Sequence, residues 1–462
     1  MPTACSVNLA FAYLITMHPR PSSPLVSRPQ GIILSEMLSN RRNFLASTAA
    51  AALFPLRAGK AVGDSAQDSL PPSLAALRDR RHEATPISSQ ERDTRLNRAR
   101  EIMQQNHLAA ICIGGGTSLR YFTGVHWYPS ERIMALVLPV KGQPFAVCPA
   151  FEEQRLHEQF ALVPSLAATR LITWQEDDNP YERLAGGLRD LALAGGAIGI
   201  EETMPFVFTA GIGRALPQAT LESATPVTFG CRSIKSPAEL KLMQLANAVT
   251  LQVYEAVWRA AGPGMTTHEF SGLVAAAYDR VGFPGEVSCE TGVYTALPHG
   301  SIAPQTIRES AMVMMDDGCT VEGYQSDITR SFVYGKPSDK MLHCFDVVHR
   351  AQAAALAAAR PGARCGSVDA AARMVIVDAG FGPGYTYFLH RLGHGIGMDM
   401  HEWPYLVRGN PLPMAANMTF SDEPGIYIPG EFGLRLEDDM FITEEGARLF
   451  TAQSPSLEHP FG

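Results

Sequence analysis

Residues 312–332 read MVMMDDGCTVEGYQSDITRSF, and residues 420–443 read FSDEPGIYIPGEFGLRLEDDMFIT. Each stretch runs from apolar residues into carboxylates, turns, and returns through more carboxylates. In the first, a turn centred on Val321-Glu322 sets Asp316 opposite Asp327, and opposed Cβ atoms lie about 4.5–5.5 Å apart. In the second, a turn centred on Gly430 sets Glu423 opposite Glu437. Four carboxylates brought together below the surface repel one another, and burying them unpaired is prohibitive. A pair of divalent cations sharing bridging carboxylates removes that cost.

Between these hairpins lies HRLGHGIGMDMHEWP, residues 390–404. His394 stands between glycines, which lets a backbone and an ion approach closely. His390 and His401 flank it. His390 and His394 have the four-residue spacing of a zinc-binding helix, but Arg391 follows the first histidine where that motif needs Glu. Taken singly, an acidic hairpin reads as a solvated turn and a His beside Gly as structural. Their combination within one region, with apolar flanks, points to a metal site.

Working outward, the region reads as a repeat. GPGM at 262–265 is echoed by RPGA at 360–363, GFPG at 282–285 by GFGPG at 380–384, and LPHG at 297–300 by LGHG at 392–395. Two such halves facing each other would bring both acidic hairpins onto one centre. Ser236-Pro237-Ala238-Glu239 is a capping box with Pro at the first helical position, which predicts a helix to about 261. A second box, Thr266 to Glu269, opens another helix ending near Gly282.

The preceding segment, 91–232, alternates helical and strand patterns and reads as an α/β domain. It has a helix at 91–106 and strands at 108–113, 133–140, 144–148 and 197–201. The GGG at 114–116 lacks the Lys-Ser/Thr of a phosphate loop and reads as a strand-to-helix turn. His126 and Trp127 read as a surface loop. Residues 62–90, rich in Pro, Ser, Asp and Arg, read as a linker. Before them, in residues 1–61, Arg41-Arg42, the apolar run after Phe44 and small residues near Ala61 have the order of a twin-arginine export signal. Met37 would then be the true start. The chain would be exported, folded, to the periplasm; without such a signal it would stay in the cytoplasm.

Bulk properties narrow the function. The formal charge of −8 leaves no basic surplus to displace phosphate counterions, so a nucleic-acid partner is excluded. No apolar run is long enough to span a bilayer as a mature helix. The eight cysteines form no CxxC pair and read as buried thiols.

Residues 236–447 resemble the creatinase/methionine-aminopeptidase superfamily, metallopeptidase family M24, in its Xaa-Pro dipeptidase (prolidase) and aminopeptidase P branch. DDGCTVEGYQSDITRSF, HRLGHGIGMDMHE, DEPGIYI and GLRLEDDMFIT carry the resemblance. RYFTG at 120–124 and IKSPAEL at 234–240 extend it more loosely. The resemblance implies a creatinase-like N-terminal α/β domain, then an α+β pita-bread catalytic domain (233–462) with an internal pseudo-two-fold repeat. It places Asp316, Asp327, His394, Glu423 and Glu437 as ligands of two divalent ions, and His299, His390, His401 and Glu423 as catalytic residues. His299, His390, His401 and Arg435 fall on the substrate side. Glu423 would move the proton, His299 and His401 would stabilise the oxyanion, and Arg435 or His390 would place a substrate carboxylate. Tyr324 either packs or supports the site. The hard ligand set favours Mn2+, with Co2+ or Zn2+ possible. The implied reaction is hydrolysis of the bond before proline in short peptides, by a dipeptidase first and an aminopeptidase P second, in a homodimer. A creatinase-like amidinohydrolase, a lyase and a non-catalytic binding module remain as alternatives on the same fold. The complete ligand set counts against the creatinase-like enzyme and the binding module.

Overall fold

The computed structural model describes residues 70–462. The arginine pair, Met37 and Cys5 lie outside them. The chain opens with α1 (Pro72–Ala75), α2 (Ser89–Gln105), β1 (Ala110–Gly114), α3 (Thr117–Thr123), β2 (Ala135–Pro139) and β3 (Phe145–Pro149). It continues with α4 (Glu153–Ala161), β4 (Arg170–Trp174), α5 (Pro180–Asp190), β5 (Ala197–Ile200), α6 (Phe206–Ala215), β6 (Thr220–Ser223) and α7 (Thr225–Arg232). The six strands form one sheet in the order β4-β3-β2-β1-β5-β6. Its four central members are the apolar runs read from sequence, because a strand covered on both faces must be apolar throughout. The edge strands β4 and β6 escaped that reading. β6 is largely exposed, so it has neither a continuous apolar run nor a buried alternation to give it away. Gly114–Gly116 make the turn from β1 into α3.

The catalytic region begins with α8 (Pro237–Ala260), whose capping box is formed by Ser236 and Glu239, and α9 (Thr267–Val281), boxed by Thr266 and Glu269. There follow β7 (Ser288–Thr291), β8 (Met312–Asp316), β9 (Thr320–Val321), β10 (Tyr324–Gln325) and β11 (Arg330–Val333). The second half repeats the plan. It has α10 (Asp339–Ala358), α11 (Cys365–Asp378), β12 (Gly393–Gly395), β13 (Glu402–Leu406), β14 (Thr419–Asp422), β15 (Gly425–Ile428), β16 (Phe432–Arg435), β17 (Asp438–Ile442) and β18 (Ala447–Leu449). The echo reaches the backbone. Gly264 and Gly362 share positive φ angles of 94° and 82°. Each donates its N–H to a later loop, at Ile307 and Met414 respectively. The third echo fails: His394 sits in β12, whereas His299 lies exposed in a loop.

The linker reading needs correction for the part described. Arg80 N donates to Val281 O, Ser73 Oγ to Ala256 O, and Leu74 is fully buried against the catalytic helices. The polar composition of 62–90 hid a few apolar anchors, Leu74, Leu77 and Ile87, too widely spaced to show a period. All seven described cysteines are free and buried. No described helix is long and apolar enough to cross a membrane.

Candidate metal centre

The second acidic hairpin has the expected register. Asp422 pairs with Asp438 on one side and Gly425 with Arg435 on the other, so Glu423 and Glu437 face each other between two ladders. The first hairpin does not. Its turn is the two-residue Glu322-Gly323, with φ angles of 51° and 93°, which suits the twist of an antiparallel pair. Val321 then pairs with Tyr324 and Met315 with Arg330. Moving the turn by one residue moves every partner by two, and Asp316 comes to face Thr329. Asp327 reaches the centre because residues 326–329 leave the ladder. Its N–H is held by Asp439 Oδ2 at 3.0 Å.

The five predicted ligands converge. Asp316, Asp327 and Glu437 offer oxygens all within 4.8 Å of one another, as do the donor atoms of His394, Glu423 and Glu437 and those of Asp327, His394 and His401. His394 Nδ1 faces Gly395 O at 3.1 Å. That fixes the tautomer and turns Nε2 inward, to 3.6 Å from Asp327 and 3.4 Å from Glu423. Thr329 Oγ1 lies 2.6 Å from Asp316 and 2.5 Å from Glu437. One hydroxyl has one proton, so it donates to one of them and accepts from the other only where that carboxyl is protonated.

Only one guanidinium, Arg435, is ion-paired with these carboxylates among the described residues, contacting Asp316 and lying 3.8 Å from Glu437. Burial pushes the Asp327 and Glu437 carboxyls well above their ordinary range, and the neighbouring carboxylates add to it. Burial, opposed by Arg435, lifts Glu423 to about 7. Burial acts the same way on Asp316, but Arg435 and Thr329 outweigh it and hold its carboxyl low. Four carboxylates against one cation, with an imidazole nitrogen aimed among them, fit divalent cations held by hard oxygens plus nitrogen.

The other predicted residues divide. His401 lies against His394 with ring centroids 3.8 Å apart and planes tilted by 40°, and is exposed. His299 is exposed on its loop, close enough to contribute to the fields at His390 and His401. Arg435 and His390 are otherwise engaged. Arg435 donates to Asp316, to Thr329 Oγ1 at 2.9 Å, to Tyr427 Oη at 2.9 Å and to Pro298 O at 3.3 Å. His390 faces Tyr427 Oη at 2.8 Å through Nε2 and Arg391 O at 2.8 Å through Nδ1. Burial, then Arg435, pushes its imidazole down to about 3, so it is neutral with both nitrogens occupied. Neither group is free to grip a substrate carboxylate.

Two features escaped the sequence reading. Arg391 packs its guanidinium 4.0 Å from the Tyr405 ring centroid, half-buried. Its charge reaches Glu423, His394 and His401, and among the described residues its side chain donates no hydrogen bond. The second is Glu402, beside His401. It is buried between Lys235 Nζ at 2.5 Å and Arg232, which also pairs with Asp399 at 2.6 Å. These residues lie far apart in sequence, so spacing gave no signal. Glu402→Gln would leave Lys235 charged at 3 % exposure without its carboxylate. The expected cost is about 3–5 kcal/mol, read as a drop in melting temperature. A melt within a degree of wild type would dismiss this network as a stabilising element.

Tyr324 supports rather than ligates. Its hydroxyl donates to Glu239 at 2.9 Å and accepts from Arg95 at 3.0 Å, tying the hairpin to both domains.

Comparison with known proteins agrees with this geometry. Residues 241–444 match metallopeptidase family M24, and residues 95–234 match the creatinase/prolidase N-terminal domain. A probable dipeptidase PepE from Mycobacterium bovis is 36% identical over 74% of this chain and 89% of its own length. An Xaa-Pro dipeptidase from Lactobacillus helveticus is 32% identical over 79% of this chain and 98% of its own. The crystal structure of dipeptidase PepE from Mycobacterium ulcerans superposes with a TM-score of 0.75 at 34% identity, covering 81% of this chain and 99% of that one. With two such relatives matched over nearly their whole length, and the ligand cluster assembled, the chain belongs to metallopeptidase family M24.

Proposed function

We propose that this protein hydrolyses the Xaa-Pro bond of dipeptides, using two divalent ions of which manganese is the preferred pair. The carrying observation is the convergence of Asp316, Asp327, His394, Glu423 and Glu437 at one centre. The similarity to an Xaa-Pro dipeptidase supports the substrate class. Mostly oxygen ligands favour the harder manganese ion over softer metals.

When bound, the ions would supply a water acidified toward neutral pH as the nucleophile. The chain's own groups do the rest. Glu423, at the edge of the centre beside Ser421, accepts the water proton and passes it to the proline nitrogen as the C–N bond breaks. His401, neutral because burial lowers its pKa, and His299 on its loop donate hydrogen bonds to the carbonyl oxygen as it gains charge. Proline's tertiary amide has no N–H, so recognition falls on its ring and its terminal carboxylate. With Arg435 committed internally, Arg391 is the guanidinium left to pair with that carboxylate.

The deciding assay compares Ala-Pro with Ala-Pro-Ala in the presence of Mn2+, Co2+ or Zn2+. Preference for the dipeptide, highest with Mn2+, is expected. Preference for the tripeptide would make the protein an aminopeptidase P, and no cleavage of either would refute the reading. Arg391→Met is expected to raise KM for Ala-Pro roughly tenfold or more with little change in kcat. Ala-proline amide, which lacks the carboxylate, should be cleaved equally by both proteins. A fall in kcat with KM unchanged would remove Arg391 from carboxylate binding. The same reading includes a homodimer, checked by sedimentation, and export through the twin-arginine route. Replacing Arg41 and Arg42 with Lys should leave the precursor in the cytoplasm.

A further inference from the structure

We propose that the cleft between the N-terminal and catalytic domains, bounded by Arg92, Arg120 and Tyr324, binds a small dianionic oxyanion of the sulfate or phosphate class. Arg92 comes from α2 and Arg120 from α3, both in the N-terminal domain. Glu322 and Tyr324 come from the β9–β10 hairpin, and Met398 from the loop joining His394 to His401. The cleft is small and open to solvent.

The observation behind this site is a charge imbalance. Arg95 also lines the cleft but is already paired, with Glu91 at 2.7 Å and Glu239 at 3.5 Å. Arg92 and Arg120 are not. Among the described residues neither guanidinium donates a hydrogen bond, and neither has a carboxylate within 4.0 Å. Arg92 Nε is buried and has no acceptor, and so is Arg95 Nε. Glu322, an exposed carboxylate at the cleft edge, acts on Arg120 through its charge but forms no ion pair with it. Two half-buried guanidiniums therefore share one cleft, among the described residues, without a carboxylate bonded to either, and burial heads the causes that lower both.

Their placement is built rather than incidental. A Cβ added to Gly124 would come within 2.7 Å of Arg92 Cζ, and one added to Gly323 within 2.6 Å of Arg120 Cζ. Each guanidinium lies against bare backbone, which fixes it from one side and leaves donors for the cleft. Planar N–H forks match tetrahedral oxyanions through paired hydrogen bonds. Two guanidinium forks with unfilled donors match the several oxygens of a tetrahedral dianion better than the two of a monocarboxylate. An anion held there would tie α2 and α3 to the hairpin that follows Asp316.

The test melts the metal-loaded full chain in sodium sulfate and in sodium chloride of equal ionic strength. A saturable rise in melting temperature with sulfate beyond chloride is expected. The double variant R92Q/R120Q, still cleaving Ala-Pro, should lose that excess. Equal melting in both salts would overturn the proposal. So would a sulfate effect retained by R92Q/R120Q, which would place the anion elsewhere, for example at the metal centre. Sodium acetate should stabilise less than sulfate, and an equal effect would overturn the dianion assignment. If the double variant does not fold, R120Q alone should weaken sulfate affinity by roughly tenfold, and unchanged affinity would refute the site.

Discussion

Asp327→Asn is expected to lower turnover of Ala-Pro by roughly 10³-fold or more while preserving the fold. A rate loss of that size corresponds to about 4 kcal/mol of lost transition-state stabilisation. Asp327 has this weight because its oxygen belongs to two of the three donor groups, joining Asp316 and Glu437 to His394 and His401. The amide keeps the shape but removes the charge and one acceptor oxygen. Its backbone N–H still binds Asp439, so the loop stays anchored. Without metal, the substitution relieves repulsion from Asp316, Asp439 and Glu423. The metal-free variant should therefore melt no lower than metal-free wild type. That pairing separates loss of a ligand from loss of structure. Turnover within tenfold of wild type, at saturating Mn2+, would sink the assignment of Asp327.

What sequence revealed and what it hid follow one physical division. Local signals were legible: the capping boxes at Ser236 and Thr266, the buried runs of β1, β2, β3 and β5, and the register about Gly430. Each depends on residues close together in the chain. The turn at Glu322-Gly323 was also local, and Gly323 was the available cue, since two positive φ angles in succession favour glycine at the second position. The first acidic pair still met because residues 326–329 leave the ladder and carry Asp327 back to the centre. The long-range partners were not legible. Nothing in the spacing of Lys235, Arg232 and Glu402 shows that they meet. Nor does the sequence show that Arg435 spends its donors on Asp316, Thr329 and Tyr427, which is why we propose Arg391 for the substrate carboxylate.

Stripping the metal with a chelator is expected to abolish turnover and to make stability fall as pH rises from about 6.5 to 8. The sign follows from the protons each state binds. In the metal-free folded chain Asp327 and Glu437 sit well above their ordinary range, Glu423 at about 7 and Asp439 at about 8, in each case chiefly through burial. An unfolded chain would release those protons near pH 4. Across the upper window the folded state therefore holds more protons, and raising the pH favours unfolding. Below about 6.5 the trend is opposed, because burial lowers His390 and His394 to about 3 and the unfolded chain would bind protons there. Each proton of difference is worth about 1.4 kcal/mol per pH unit, a drop on the order of several degrees in melting temperature. Divalent ions replace those protons as the counter-charge, so Mn2+ should flatten the slope and stabilise most at the alkaline end. At a thousandfold excess over its dissociation constant an ion adds about 4 kcal/mol. Calorimetry at pH 6.5 and 8, with chelator and with Mn2+, measures both effects. A metal-free melt that rises between those pH values would mean that these carboxylates are not jointly buried around one centre, and the assignment of the metal site would fall with it.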